Sequence, residues 1–184
     1  LQKTGSEYLT DVWPNMEVFF HGGISFEPYR DQYKALIPSD RMHYMETYNA
    51  SEGFFGLQDN PEEHSLLLMI DYSVFYEFIP INEVGEEHPT VLPLEAVEVG
   101  KNYAMVITTS GGLWRYQIGD TIRFTSLYPH KFVISGRTKN FINAFGEELM
   151  VDNADKAISS VCRQTGAKVK EYTAAPLFML DKAK

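Results

Sequence analysis

Three short stretches carry side chains whose types and spacing could do chemistry. In TYNASEGFFG, Thr47 to Gly56, a tyrosine precedes a glutamate by four residues and a Ser-Glu-Gly corner closes an apolar run. A carboxylate at a strand end, here Glu52, can hold Mg²⁺, a hard cation that takes oxygen ligands and shares them with a nucleotide phosphate. Tyr48 can stack on or cover a flat base. The same residues also suit a plain turn, or a short helix with Ser51 as its cap. In GGLWRYQIGD, Gly111 to Asp120, an aspartate just after a strand can accept both hydroxyls of a ribose, although Gly-Asp is also a common turn. Arg115 and Tyr116 there read as a solvated cation and a half-buried ring. In GRTK, Gly136 to Lys139, the Arg137 guanidinium can grip a phosphate or a ribose, and Lys139 stands where the chain would pivot. A basic linker between two domains uses the same residues.

Other chemistries find no support. No G-x-x-x-x-G-K-S/T phosphate loop and no G-x-S-x-G nucleophile elbow occurs. His21, His43, His64, His88 and His130 lack metal-site spacing. The acidic pairs Glu62-Glu63 and Glu86-Glu87 read as solvated loop residues, and Cys162 as a packing residue on a helix. The net charge of -9 and the absence of a Lys/Arg block argue against nucleic acid and anionic membranes as partners. With one cysteine no internal disulfide can form, which suits a reducing, cytoplasmic compartment. The longest apolar run, near SLLLMIDYSVFYEFIPI, is broken by Asp71 and Glu77 and is too short to span a bilayer. No signal peptide opens the chain, and its first residue is Leu1 rather than Met.

The elements that must position these residues follow from patterning. Glu17 to Phe20 reads as a strand ending in His21-Gly22-Gly23. Phe26, Tyr29, Tyr33 and Leu36 recur at helical spacing behind Pro28, which predicts a helix over Glu27 to Ile37. Met42 to Tyr48 then reads as a second strand. This is a β-α-β unit, and in open α/β sheets ligands gather at the strands' carboxyl ends. Leu66 to Asp71, Val74 to Ile79, Tyr103 to Thr109, Leu113 to Tyr116, Thr121 to Thr125 and Phe132 to Ser135 are short strand-like runs that predict antiparallel meanders or a small barrel. Asn82 to Glu98, acidic and with Pro89 and Pro93, is expected to be a loop. Val151 to Thr165 reads as a helix with Ala154, Ile158 and Val161 on one stripe, and Val169 to Ala175 as a strand. The fold class is therefore mixed α/β (α+β). The 184 residues suit one domain, or one and a piece of another, with a boundary near Lys139.

Taken in order, HGG, YNASE, YQIGD and GRTK resemble the motifs of the adenylate-forming, acyl-activating enzymes. The stretches DVWPNMEVFFHGG, YNASEGFFG, FYEFIP, GGLWRYQIGD and GRTKNFINAFGEEL are most similar to the acyl acid amido synthetases, the auxin-responsive promoter family, and look like a bacterial member. The resemblance covers nearly the whole chain. It implies that a carboxylic acid is activated by ATP as an acyl-adenylate and then transferred to the amine of an amino acid. Transfer to a thiol such as coenzyme A, or a non-catalytic nucleotide-binding or interaction module, are the alternatives. Carried over residue by residue, Glu52 would hold Mg²⁺ beside the α-phosphate, and Tyr48 would lie against the adenine with Ala50 and Ser51. Gly22 and Gly23 would let the backbone approach the adenine. Asp120 would take the ribose hydroxyls, Arg137 the ribose or phosphate, and Lys139 would be the hinge. His21, Phe75 and Tyr76 would line a pocket for an aromatic or apolar acid. The family's phosphate loop and the end of its small domain have no counterpart here, and Gln117 stands where the family commonly has Arg. The resemblance thus implies a piece of a larger enzyme: residues 1–136 the latter part of a large domain, 137–141 a hinge, 142–184 the start of a small domain.

Overall fold

The structure is a computed structural model. It describes residues 1, 3–23, 26, 29–139, 142–144, 147–169 and 171–174.

The chain begins with a single helical turn, α1 (Leu9–Val12), and then forms the β-α-β unit that the apolar spacing predicted. Strand β1 (Val18–His21) and strand β2 (His43–Ala50) lie side by side in parallel, with Val18 opposite His43 and His21 opposite Glu46. Helix α2 (Arg30–Leu36) is the crossover. Side chains alternate along a strand, so Phe19 and His21 share one face of the pair with their register partners Tyr44 and Glu46. The rings of Phe26 and Tyr33 pack onto that face: Phe19 and Tyr33 have centroids 4.9 Å apart, and Phe26 stacks on Tyr44 at 5.3 Å. The helix is shorter than its pattern, with Tyr29 and Ile37 as its flanking residues. The predicted positions 27 and 28 lie outside the described residues.

From β2 onward the sheet is antiparallel. A two-residue turn, Ser51-Glu52, leads into β3 (Gly53–Gln58), which pairs with β2 so that Ala50 faces Gly53. Strands β4 (Leu66–Leu68), β5 (Val74–Pro80), β6 (Leu92–Pro93), β7 (Asn102–Thr109), β8 (Tyr116–Leu127) and β9 (His130–Arg137) follow. The nine-stranded order is β1-β2-β3-β4-β9-β8-β7-β5-β6. The sheet curls until the inward side chains of β3 and β5 meet: the rings of Phe55 and Tyr76 stand 6.3 Å apart, edge to face. Inside lie Phe78, Met105, Ile107, Ile122, Phe124 and Phe132, all with less than 1% exposure. This is the predicted meander, curled towards a barrel.

Several boundaries differ from the sequence reading. The run GFFGLQ, whose glycines predict a turn, is a strand. The two predicted runs on either side of Gly119 are one long strand, β8, that begins only at Tyr116. Gly119, at φ +87°, lets the strand bulge there without breaking. The expected loop over Asn82 to Glu98 contains β6 and two short 3₁₀ turns, Ile81–Glu83 and Leu94–Ala96.

After β9 come a small hairpin, β10 (Ile142–Ala144) with β11 (Glu147–Leu149), and helix α3 (Val151–Thr165). Helix α3 opens on a reciprocal pair between Met150 and Asn153: the Met150 N–H donates to Asn153 Oδ1 at 3.0 Å, and the Asn153 N–H donates back to the Met150 carbonyl at 3.0 Å. It ends on Gly166 at φ +71°, the left-handed conformation that glycine adopts at helix ends. Met150 is buried beside Gly136, where an added Cβ would meet Met150 Cε at 3.4 Å. Ala154 and Ile158 are half-buried as expected, but Val161 is 55% exposed. No strand forms in the described part of the stretch 169–175.

Candidate active site

The curl brings two of the three motif stretches together. The Tyr48 hydroxyl donates to Asp120 Oδ2 at 2.6 Å across 72 positions of sequence. Arg137 Nε sits 3.1 Å from the other oxygen, Oδ1, and Asp120 and Arg137 are register partners on β8 and β9. The third motif stretch is locked onto the second by Thr138, whose N–H and hydroxyl both donate to the Gly119 carbonyl, at 2.9 and 3.3 Å. Beneath them the buried hydroxyls of Ser135 and Thr121 bond each other at 3.0 Å. Asp120 is thus gripped from two sides with 18% of its side chain exposed, whereas Arg137 is 61% exposed. A carboxylate has about four lone-pair positions, so with two occupied it keeps acceptor capacity for a diol.

The Tyr48 ring lies in the core, 5% exposed and 5.2 Å from the ring of Phe55. It has no face open to a base, so the stacking role expected from sequence does not fit; its hydroxyl is the part that reaches the site. Burial first, and then the hydrogen bond to Asp120, push its phenol far above the usual range, so it stays protonated and donates. Ser51 and Glu52 occupy the turn between β2 and β3. Ser51 and Ala50 are exposed and Glu52 half-buried, and no short helix forms there. Among the described residues no group of three or more His, Cys, Asp or Glu side chains could hold a metal. A Mg²⁺ at Glu52 would therefore draw most of its ligands from phosphate and water, which is that ion's habit in nucleotide sites. Lys139 is exposed, in the turn after β9.

His21-Gly22-Gly23 ends β1 beside a pocket of about 610 Å³ lined by Phe19, Phe20, His21, Gly22, Phe26, Tyr29 and Tyr33. Gly22 must be glycine for a local reason: a Cβ there would sit 2.4 Å from the Thr47 carbonyl oxygen. Gly23 takes φ +86° with open space around its Cα. His21 stacks on Phe26 at 4.2 Å, and neither ring nitrogen finds a hydrogen-bond partner. Burial, then the Arg30 guanidinium, lower its pKa to about 4, so it is neutral at pH 7. Its register partner Glu46 is raised to about 7 by burial, with Arg30 opposing.

Phe75 and Tyr76 do not join this pocket. They lie on β5, at the far side of the sheet order. Phe75 is 62% exposed on the outer face, and Tyr76 is buried inside with its hydroxyl donating to the Met69 carbonyl at 3.1 Å. The pocket's aromatic lining comes instead from β1, from Phe26 and Tyr29 ahead of α2, and from Tyr33 on α2. Helical spacing had signalled Phe26, Tyr29 and Tyr33 but not their use. Thr138 and Glu46 carried no local signal, because register alone gives them their neighbours.

The fold is shared with solved acyl acid amido synthetases. The structure titled AtGH3.15 acyl acid amido synthetase in complex with 2,4-DB aligns with a TM-score of 0.65 at 20% identity, over 92% of this chain and 35% of that one. Residues 1–42 match the GH3 family N-terminal domain and residues 67–137 the GH3 family central domain. Indole-3-acetic acid-amido synthetase GH3.4 of Arabidopsis thaliana is 32% identical over 192 residues, 94% of this chain and 31% of the relative. Indole-3-acetic acid-amido synthetase GH3.3 of Arabidopsis thaliana is 32% identical over 181 residues, 90% of this chain and 29% of the relative. The chain belongs to the GH3 family. It spans about a third of the length of the curated relatives it matches.

Proposed function

We propose that this chain is the nucleotide-contacting part of an ATP-dependent acid–amino acid ligase. A carboxylate oxygen of the acid attacks the α-phosphorus of ATP and pyrophosphate leaves, giving an acyl-adenylate. The amine of an amino acid then attacks the acyl carbon and AMP leaves, giving an amide. The observation that carries the reading is the Asp120 carboxylate, gripped by Tyr48 and Arg137 where β8 and β9 meet. The names of the GH3 relatives favour an amine over a thiol as acceptor.

In this reading Asp120 accepts the two ribose hydroxyls and Arg137 offers its remaining N–H groups to the ribose or α-phosphate. Tyr48 holds Asp120 rather than the adenine. Gly22, Gly23, Ala50 and Ser51 supply backbone that the base can approach closely. Glu52 is the protein ligand for Mg²⁺, which when bound neutralises phosphate charge. Lys139 is the pivot between a large domain, residues 1–136, and a small domain beginning at residue 142. Such work is positioning and charge neutralisation around phosphorus, with no covalent role for the protein.

Calorimetric titration with AMP in the presence of Mg²⁺ tests this directly. Saturable binding by the chain, weakened at least about tenfold by Asp120→Ala, is the expected result. Equal binding by a folded Asp120→Ala chain overturns the assignment.

A further inference from the structure

The outer face of the curled sheet carries a second concavity, of about 420 Å³, that shares no residue with the nucleotide site. Small-molecule sites run to roughly 300–1,000 Å³, so it lies at the small end of that class. Its floor is apolar: Ile79 of β5 and Val106 of β7, each 3% exposed. One wall is the segment between β5 and β6, which brings Glu87 and His88 to the groove. That segment is tied in place, since the Thr90 N–H donates to a Glu83 carboxylate oxygen at 2.6 Å and Val84 and Val91 pack on the floor. Arg115 and Gln117 form the other wall.

Arg115 is held in a specific way. Its φ is +47°, a region that non-glycine residues rarely adopt, and such outliers persist only where neighbours enforce them. Its N–H donates to Thr108 Oγ1 at 3.0 Å, and its Nε donates to Glu77 at 3.0 Å. Glu77 is the more buried partner, with 18% side-chain exposure against 62% for Arg115. With Nε occupied, what Arg115 contributes to the groove is the terminal pair of its fork, the half that grips a carboxylate. A guanidinium anchored by Glu77, a Glu87 carboxylate among the lining residues and an apolar floor are the complement of a zwitterion with an apolar side chain.

We infer that this groove binds a free aliphatic α-amino acid, its carboxylate on Arg115, its ammonium toward Glu87 and its side chain over Ile79 and Val106. The ligand class rests on the amide chemistry proposed above, in which an amino acid is the acceptor; the groove itself does not. Gln117 precedes Asp120 by three positions on β8, about 10 Å at roughly 3.3 Å per residue. Gln117 faces outward beside Val106, whereas Asp120 faces inward to the Tyr48 hydroxyl, so the groove is a separate site on the opposite face of the sheet.

The test is an amide NMR titration of the full chain with L-leucine, with leucinamide and 4-methylpentanoate as controls lacking the carboxylate or the amine. Saturable shifts at Val106 and Gln117 are expected, with each control at least about tenfold weaker. Arg115→Gln should weaken leucine at least about tenfold, and Arg115→Lys less, because it keeps the charge but not the fork. The absence of saturable shifts in the groove, leucinamide binding as well as leucine, or undiminished binding by Arg115→Gln each overturns the inference. The controls use the unaltered chain, so the test survives a variant that fails to fold. AMP titrated into the same sample separates the two readings. Leucine binding without AMP binding would sink only the nucleotide reading, and AMP binding without leucine binding only this one.

Discussion

The parallel corner, β1-α2-β2, and the curled antiparallel sheet solve the same burial problem differently. The corner packs Phe26, Ile37, Met42 and Tyr44 as a small cluster under one short helix, and leaves Phe20 at 60% exposure and His21 without a partner. The curled sheet closes over fourteen buried residues among those described and pairs hydroxyls inside it, as the Ser135–Thr121 and Tyr76–Met69 hydrogen bonds illustrate, while Asn102 Oδ1 on β7 finds no hydrogen-bond partner. The comparison teaches a division of labour: a dense sheet fixes the groups that need accurate placement, and an open aromatic corner leaves room.

The largest contrast should come from one substitution made in both regions. Phe124→Ala, at 0% exposure, should cost about 3–5 kcal/mol, read in denaturant titration as a large fall in the unfolding midpoint. Phe26→Ala, at 8% exposure beside an open pocket, should cost no more than about 3 kcal/mol, because the void opens to solvent. Equal costs would break the comparison.

Next comes Gly22→Ala, which forces a methyl group to 2.4 Å from the Thr47 carbonyl. A loss of about 1–3 kcal/mol in thermal unfolding is expected, as for other forced overpacking. A neutral effect would mean that the corner gives way easily.

Glu46 and His21 sharpen the comparison through pH. The folded pKa of Glu46, about 7, lies above its ordinary 4.5. Its contribution to stability is therefore complete below pH 4.5 and lost as pH rises to 7. Glu46→Gln should stabilise the chain by roughly 2 kcal/mol at pH 7.5 and by nothing below pH 4.5. His21 runs the other way: its pKa of about 4 lies below 6.5, so its contribution is complete above pH 6.5 and lost as pH falls to 4. The two oppose each other, and the variant should unmask a loss of stability on acidification that the parent chain hides. Melting curves from pH 4 to 8 check this.

The smallest effect is Tyr48→Phe, which removes one hydroxyl from Asp120 and keeps the ring. About 1 kcal/mol of stability should go, and AMP should bind several-fold more weakly because Asp120 loses an anchor. Unchanged AMP binding would make Tyr48 a core residue only.

Much of the architecture was legible in the residues. Phe26, Tyr29 and Tyr33 at helical spacing between two short apolar runs gave the β-α-β corner, because side-chain period follows backbone geometry. The alternation of Tyr103, Met105 and Ile107 gave β7. The motif stretches pointed to the residues that now surround Asp120. What could not be read was which strand lies beside which. Val106 and Gln117 are neighbours by register, and nothing local marks Gln117 as a groove residue. Phe75 and Tyr76 looked like a pocket pair, yet adjacent residues on a strand face opposite ways, and β5 lies far from His21 in the sheet. GFFGLQ was hidden because its two glycines read as turn signals, whereas at Gly56 the glycine makes room for the Phe132 ring, 2.8 Å from where a Cβ would stand.

The sequence by itself determined the class of fold, the family motifs and the residue types available for chemistry, since propensity, periodicity and turn chemistry are local properties of the chain. Only the tertiary structure decided that Tyr48 would be a buried donor rather than a stacking face, that Asp120 would sit between it and Arg137, and that Arg115 would share a groove with Glu87. Those outcomes depend on strand order, register and the closing curl of the sheet. Each is set by the total burial of distant side chains, and no short stretch of residues encodes it.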